Sequence, residues 1–154
     1  MLKYLWVENG IINGGSDLIQ QDVWTDNRFQ VEVSEELYNS YIQDSNRYIY
    51  SGGKIIENPD YEEIKRQKET ERINNLTMTA LDFINVVKSL GLSDEDIDEY
   101  LQANIPLKNQ LTYCQNVYCG VVRSLVPLEV KGKTITDDMV VNAFKVKNGE
   151  SPDV

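Results

Sequence analysis

The sequence contains no histidine, only two cysteines, and no apolar run long enough to cross a bilayer. Without histidine, the chain lacks the commonest general base and the commonest metal-binding side chain near neutral pH. Two cysteines without histidine also fall short of the four ligands of a structural zinc site. We therefore expect a protein with no catalytic residues, no metal and no cofactor.

Clustered basic residues are also missing. Fifteen Lys and Arg stand against 25 Asp and Glu, and the net charge of −10 is spread along the chain. Nucleic-acid binding depends on clustered Lys and Arg that release counterions from phosphates. We expect no direct nucleic-acid binding and no membrane insertion. Spread acidity favours solubility, and mimicry of DNA is the alternative interpretation.

The first eight residues hold one lysine, a short apolar stretch and an early glutamate, a pattern unlike a signal peptide. We expect a cytosolic protein, or one that leaves the cell inside an assembly.

Cys114 and Cys119 are five residues apart, so on a helix they point in different directions and do not bond to each other. Both are expected to be free, buried thiols.

Short strands and turns are predicted for residues 1–59, a small β-rich module. Asn9-Gly10 and Ser51-Gly52-Gly53 are typical of tight hairpin turns. Residues 13–22 are predicted to form a loop, and residues 29–33 alternate apolar and polar positions as a half-buried strand does. Ser34 is expected to cap a short helix.

Residues 60–75 predict a charged connecting helix. Glu62–Arg66 and Glu69–Arg72 are oppositely charged pairs at helical spacing. The apolar stripe is thin: it consists of Tyr61, Ile64 and Ile73, and Lys68 lies on the same face. Such a helix is expected to bridge two modules in solvent or to pair weakly with a copy of itself.

Residues 76–147 predict an all-α module of about four helices. Thr79 and Ser93 are candidate N-caps, and a third helix from Pro106 to Leu125 has the broadest apolar face. Thr136 caps a last short helix, and residues 148–154 are predicted to be a disordered tail. The predicted fold class is α+β: N-terminal antiparallel β-hairpins with a short helix, a charged helix, then the helical bundle.

No candidate motif for metal binding or phosphate binding matches its consensus pattern in full. The acidic run 94–99 lacks the glycine and the closing glutamate of a calcium loop, so it is interpreted as a helix start after Ser93. The paired glycines at 14–15 and 52–53 do not match a phosphate-binding loop. A hydrolase that uses two carboxylates stays open as an alternative function.

The first half is rich in aromatic residues, which are favoured both in strands and at protein interfaces. The sequence leaves two interpretations open: these aromatic residues pack in the core, or they form a docking surface. The candidate interface residues are Trp6, Trp24, Tyr48, Tyr50, Tyr61 and Ile64.

Three segments resemble a known group of proteins. They are residues 33–38 (Val-Ser-Glu-Glu-Leu-Tyr), residues 47–63, with Gly-Lys-Ile-Ile-Glu-Asn-Pro-Asp-Tyr-Glu, and residues 72–83. The passage, within about residues 30–125, is similar to small proteins from the tail-fibre region of bacteriophages and prophages of Gram-positive bacteria. The resemblance implies a phage structural or accessory protein, in the host cytoplasm or in a virion, and transfers no site residues.

Three functions follow as hypotheses. The first is a non-enzymatic tail-region protein that acts through contact with a protein partner or with itself. The second is an acidic, phage-encoded inhibitor of a host defence protein, such as a DNA mimic, which requires carboxylates gathered on one face. The third is the hydrolase with two carboxylates, which requires a cleft holding an acidic pair.

Overall fold

A computed structural model describes residues 2–130 and 132–152. This part of the chain is an α+β structure, 50% helical and 25% strand, with antiparallel strands at the N-terminus, as predicted. It divides into two compact units, Met1–Gln67 and Lys68–Val154, and each is described here by itself. The predicted boundaries at residues 59 and 75, with a connecting helix between them, stay a prediction.

The first unit is built on a three-stranded antiparallel sheet in the order β2-β1-β3. A two-stranded hairpin, β4-β5, follows a short helix. Its elements are β1 (Lys3–Glu8), β2 (Ile11–Ser16), β3 (Arg28–Val33), α1 (Glu35–Gln43), β4 (Tyr48–Ser51), β5 (Lys54–Glu57) and the start of α2 (Tyr61–Asn74).

Both predicted hairpins are confirmed. Asn9 and Gly10 turn between β1 and β2 with φ of 51° and 80°, and Gly52 and Gly53 turn between β4 and β5 with φ of 57° and 81°. These left-handed conformations are the ones that type I′ turns require. Ser34 caps α1 as predicted, since its side chain accepts a hydrogen bond from the Leu37 amide.

Strand β2 is longer than predicted, because residues 13–16 belong to it and not to a loop. Leu5 pairs with Gly15, and Tyr4 pairs with Ser16. Gly15 packs directly beneath an aromatic ring: a Cβ atom added there would lie 2.5 Å from a ring carbon of Tyr38. The glycine leaves room for a close approach of this ring, which its place in the sequence does not reveal.

One face of this sheet packs against α1 and β4. Leu5 and Val7 are fully buried in the central strand. Tyr41 of α1 is buried, and its hydroxyl donates to the Ile12 carbonyl oxygen at 3.2 Å. The ring of Tyr50 meets the ring of Phe29 edge-on, with 5.5 Å between centroids.

The second unit alternates helices with short strands. Strand β6 pairs with β7 and β8 pairs with β9, both antiparallel. The elements after α2 are β6 (Thr77–Thr79), α3 (Ala80–Ser89), α4 (Asp94–Ala103), α5 (Ile105–Tyr113), β7 (Asn116–Tyr118), α6 (Cys119–Arg123), β8 (Leu128–Val130), β9 (Lys133–Ile135) and α7 (Asp137–Lys147).

The prediction of one long helix from Pro106 to Leu125 is wrong, and with it the prediction of an all-α module. Helix α5 ends at Tyr113, and residues 116–118 form a strand in which Val117 pairs with Met78. The Cys119 amide also donates to the Leu76 carbonyl oxygen at 2.8 Å. Pairing with a segment almost 40 residues earlier overrides the local helical pattern, and Val and Tyr suit a strand.

The helix starts predicted for the second unit are confirmed. Thr79, Ser93 and Thr136 each accept a hydrogen bond from the backbone three residues on, and Ser93 forms a full capping box with Asp96. Helix α7 runs to Lys147, beyond the predicted end near Phe144.

The predicted disordered tail, 148–154, begins with residues that make contacts. The Asn148 side chain donates to the carbonyl oxygens of Thr77 and Phe144, both at 2.8 Å, and Glu150 pairs with Arg72 at 2.6 Å. Residues 153 and 154 lie outside the described residues.

Ion pairs along α2 follow a spacing of three residues. Arg72 pairs with Glu69 as predicted, whereas Arg66 pairs with Glu63 and not with Glu62. The Arg66 guanidinium makes two bonds to the Glu63 carboxylate, at 2.8 and 2.9 Å, because this spacing brings the planar groups side by side.

Candidate functional site

The two cysteines differ sharply in their surroundings. Cys119 is fully buried, and burial raises the pKa of its thiol to about 11, so the thiol stays protonated at neutral pH. Cys114 is exposed, contrary to the prediction, because α5 ends just before it. Across residues 2–130 and 132–152, no three His, Cys, Asp or Glu side chains are grouped so as to hold a metal ion.

The acidic run 94–99 is a helix start. The Asp96 carboxylate accepts bonds from the Ser93 amide and hydroxyl, both at 2.7 Å, and Asp94 pairs with Lys88 at 2.6 Å. The Asp96 carboxylate thus satisfies the Ser93 amide, and both negative charges suit the positive end of the helix dipole at the beginning of α4.

Basic side chains lie among the carboxylates in both units. In the first unit Lys3 pairs with Asp17 at 2.7 Å, and in the second Lys147 pairs with Asp82 at 2.8 Å. Arg123 binds the Asp137 carboxylate through two bonds of 2.7 Å, which lower the pKa of Asp137. The acidic surface is thus interrupted by positive charge at many places.

An ordered loop follows β2 and is held by one buried side chain. We call residues 17–27 the apolar loop. The Gln30 side chain, only 5% exposed, donates to the Leu18 carbonyl oxygen at 2.9 Å. Its own amide oxygen accepts from the Gln20 amide at 2.6 Å and from the Trp24 indole at 3.4 Å. Gln30 therefore satisfies backbone groups of the loop at two points and fixes its course over the sheet.

The apolar loop presents large apolar side chains to solvent. Leu18 is 70% exposed and Trp24 is 37% exposed. Ile19 and Val23 are exposed by nearly half. Four such side chains in seven residues of an ordered segment differ from the scattered exposed apolar residues of an ordinary surface. The loop is the strongest candidate docking surface in the first unit.

Trp6 lies beside the same glutamine. Trp6 pairs directly with Gln30 across β1 and β3, so both side chains project from one face of the sheet. The Arg28 guanidinium lies 4.9 Å from the centre of the Trp6 ring, a cation–π distance. Two of the predicted interface residues, Trp6 and Trp24, thus flank Gln30.

The other predicted interface residues lie elsewhere in the first unit. Tyr50 packs on Phe29, the neighbour of Gln30 in β3, and so lies on the opposite face of the sheet. Tyr48 lies against the guanidinium of Arg47, 5.7 Å from its ring centre. The structure does not gather the six predicted residues into one surface.

Tyr61 and Ile64, the last two of the six, are half-buried on the first turns of α2. Burial, followed by a hydrogen bond to the Asp44 carboxylate, raises the pKa of Tyr61. That hydroxyl is already engaged within the unit, which favours a packing role for Tyr61 over a docking role.

Sequence reasoning missed Leu18, Ile19, Val23 and Gln30. The first three carry no periodic pattern, and residues 13–22 were expected to be a plain loop. Gln30 occupies a polar position of an alternating strand, which predicts exposure. A cue was present in the apolar residues themselves, since Leu, Ile and Val are unusual side chains for a loop.

An apolar cavity of about 350 Å³ lies within the second unit. Its inner wall is formed by buried side chains, including Met78, Phe83, Leu107 and Phe144. Helices α3, α4 and α7 and the segment from α6 to β9 supply the rest of the wall. Among the described residues that line it, Asp96 is the one charged side chain.

The size of this cavity is large for a unit of fewer than 90 residues. The cavity is partly open to solvent, since Met139 on its wall is 43% exposed. Apolar walls also give water few hydrogen-bond partners. Apolar atoms are therefore the favoured occupants of this space.

Comparison with known proteins adds no family to this description. No family model, no curated protein and no solved structure matches the chain. In the described part of the chain, no helix combines the length and the apolar character needed to cross a bilayer. The site must therefore be interpreted from its own geometry.

Proposed function

We propose that this chain is a non-enzymatic structural or accessory protein of a phage or prophage tail region, and that it acts through protein–protein contact. The observation that carries the proposal is the apolar loop, in which Leu18, Ile19, Val23 and Trp24 are exposed while Gln30 holds the backbone in place. The sequence resemblance of residues 33–38, 47–63 and 72–83 supports the phage context.

The order of the loop favours a docking role. Binding costs free energy when flexible segments must be ordered, and a loop already fixed by buried hydrogen bonds avoids much of that cost. Trp24 is a residue type that often dominates interface energies, because a large flat ring buries much area with little loss of conformational freedom.

The charges around the loop indicate the character of the partner. Asp22 and Asp26 are exposed within it, and the whole unit has six basic and twelve acidic side chains. A complementary partner has an apolar groove with Lys or Arg at its rim. Binding through such a surface rests mainly on apolar contact and changes only moderately with salt.

The mixed charges favour docking over mimicry of nucleic acid. A DNA mimic needs carboxylates in rows at phosphate-like spacing on one face. Here Lys3, Arg66, Arg123 and Lys147 each lie within 3 Å of a carboxylate and interrupt the negative surface.

Co-expression with the products of the neighbouring genes tests the proposal. We expect one of them to co-purify with the full chain, and the variant Leu18→Asp to lose it, because a carboxylate is placed in the apolar contact. Ile42→Asp is the matched control, since Ile42 is 58% exposed on α1, outside the loop. If no neighbouring product binds, or if Leu18→Asp binds as the control does, the proposal is wrong.

A further inference from the structure

The cavity of the second unit has the size and lining of a ligand pocket. Small-molecule sites are mostly apolar and measure about 300–1,000 Å³, and this one measures about 350 Å³. For comparison, an engineered apolar cavity of about 150 Å³ is enough to bind benzene. The walls come from several elements, so the shape is fixed by tertiary packing and not by one flexible loop.

We propose that this cavity is a binding site for a small, uncharged, apolar molecule larger than benzene. The inference is independent of the proposed docking function, which rests on the other unit. Nearly every lining side chain is aliphatic, aromatic or a thioether, and these offer contact area and polarisable surface.

The charges at the wall determine the ligand class. No Lys or Arg is among the described lining residues, so an anionic ligand such as a fatty acid has no counter-charge there. The Asp96 carboxylate is engaged with the Ser93 amide and hydroxyl at the start of α4. A cation is therefore not the favoured ligand either, and a neutral apolar molecule fits best.

The rim and the inner wall have different exposure. Met139, at the beginning of α7, is 43% exposed, whereas Met78, in β6, is 4% exposed. Both line the cavity. A ligand that enters past Met139 and reaches the inner wall therefore contacts both methionines.

The methionines allow a test in the unaltered protein. The chain has three methionines, and the third, Met1, lies outside the described residues and is distant in sequence from both, so it serves as the reference signal. The full chain, labelled with ¹³C at the methionine methyl groups, is titrated with N-phenyl-1-naphthylamine, an uncharged dye that fluoresces in apolar surroundings. We expect saturable binding, with shifts of the Met78 and Met139 methyl resonances and none of Met1.

Two variants locate the site. Ala143→Leu on α7 and Val87→Phe on α3 add atoms to the wall and are expected to weaken dye binding by about tenfold or more, since even one methylene changes affinity by about that factor. Ala103→Leu is the matched control, because Ala103 is exposed at the end of α4. Circular dichroism confirms that each variant is folded.

Each outcome of the titration either supports or overturns the proposed binding site. Saturable dye binding that moves Met78 and Met139 supports the inference even if a cavity variant does not fold. A lack of saturable binding to the unaltered chain overturns it. Equal shifts of all three methionines, or equal affinity in both folded cavity variants and the control, overturn it as well, since the dye then binds elsewhere.

Discussion

The Gln30 side-chain amide donates a 2.9 Å hydrogen bond to the Leu18 carbonyl oxygen from a position that is almost fully buried. The same side chain accepts from the Gln20 amide at 2.6 Å. One polar residue of β3 thus satisfies the two backbone groups on either side of Ile19, in the apolar loop. The conformation of the apolar loop therefore depends on this glutamine.

Replacing Gln30 with Leu is expected to lower the free energy of unfolding by about 1–3 kcal/mol, because it leaves two loop backbone groups without their partner. Urea denaturation measures the change. Hydrogen exchange is expected to show faster exchange at the Gln20 amide. Gln43→Leu, at the exposed end of α1, is the control and should change neither quantity. Equal stability of both variants would contradict the assigned role of Gln30.

Gly15→Ala is expected to destabilise the first unit by about 1 kcal/mol, since the new methyl group would lie 2.5 Å from the Tyr38 ring and the ring must shift. Gly14→Ala is a close control, because nothing lies within 4 Å of a Cβ atom there. Thermal unfolding of the two variants checks the difference. An equal loss of stability in the two variants would contradict the close contact between Gly15 of β2 and the Tyr38 ring.

The ion pair between Arg123 and Asp137 predicts a dependence on pH. Hydrogen bonds from Arg123 lower the pKa of Asp137, so the carboxylate adds stability above its unfolded pKa of about 4. This contribution is lost as the pH falls through the lower pKa of the folded state. Asp137→Asn is expected to lower the free energy of unfolding by about 1 kcal/mol at pH 7, since the pair is partly exposed, and by less once the pH falls through that lowered pKa.

Urea unfolding at pH 7 and at the lowest pH where the protein stays folded measures this difference. Asp138→Asn, at the next, exposed position of the same helix, is the control. A cost for Asp137→Asn that stays constant with pH would show that its charge is not what stabilises the fold.

The two thiols are expected to react with a thiol reagent under different conditions. Cys114 is exposed and should react with a thiol reagent in the folded protein. Cys119 should react only after unfolding, because it is fully buried and burial raises its pKa to about 11. Counting modified thiols before and after addition of denaturant checks this. Two fast thiols in the folded protein would contradict the packing of α6.

Local signals in the sequence predicted much of the fold. The turn at Asn9-Gly10 and the caps at Ser34, Thr79 and Ser93 depend on a few neighbouring residues, so they were visible in the sequence. Strand β7 was not, because Val117 pairs with Met78 and no local pattern shows that partner.

The candidate site was predicted only in part. Trp6 and Trp24 were identified by residue type, and both flank Gln30. Tyr50, chosen by the same criterion, packs on Phe29, because an aromatic residue in a strand suits a core and a surface equally. Which of the two it occupies depends on the face of the sheet, and the strand order that sets this was not available from the sequence.

The most direct test of the proposed function is the dissociation constant of the tail-region partner for three forms of the chain. Trp24→Ala is expected to weaken binding by about 2 kcal/mol or more, the effect of removing a central aromatic contact. Ile42→Ala, which removes an exposed apolar side chain outside the loop, is expected to leave the constant unchanged from that of the unaltered chain. Equal dissociation constants for all three forms would contradict docking through the apolar loop.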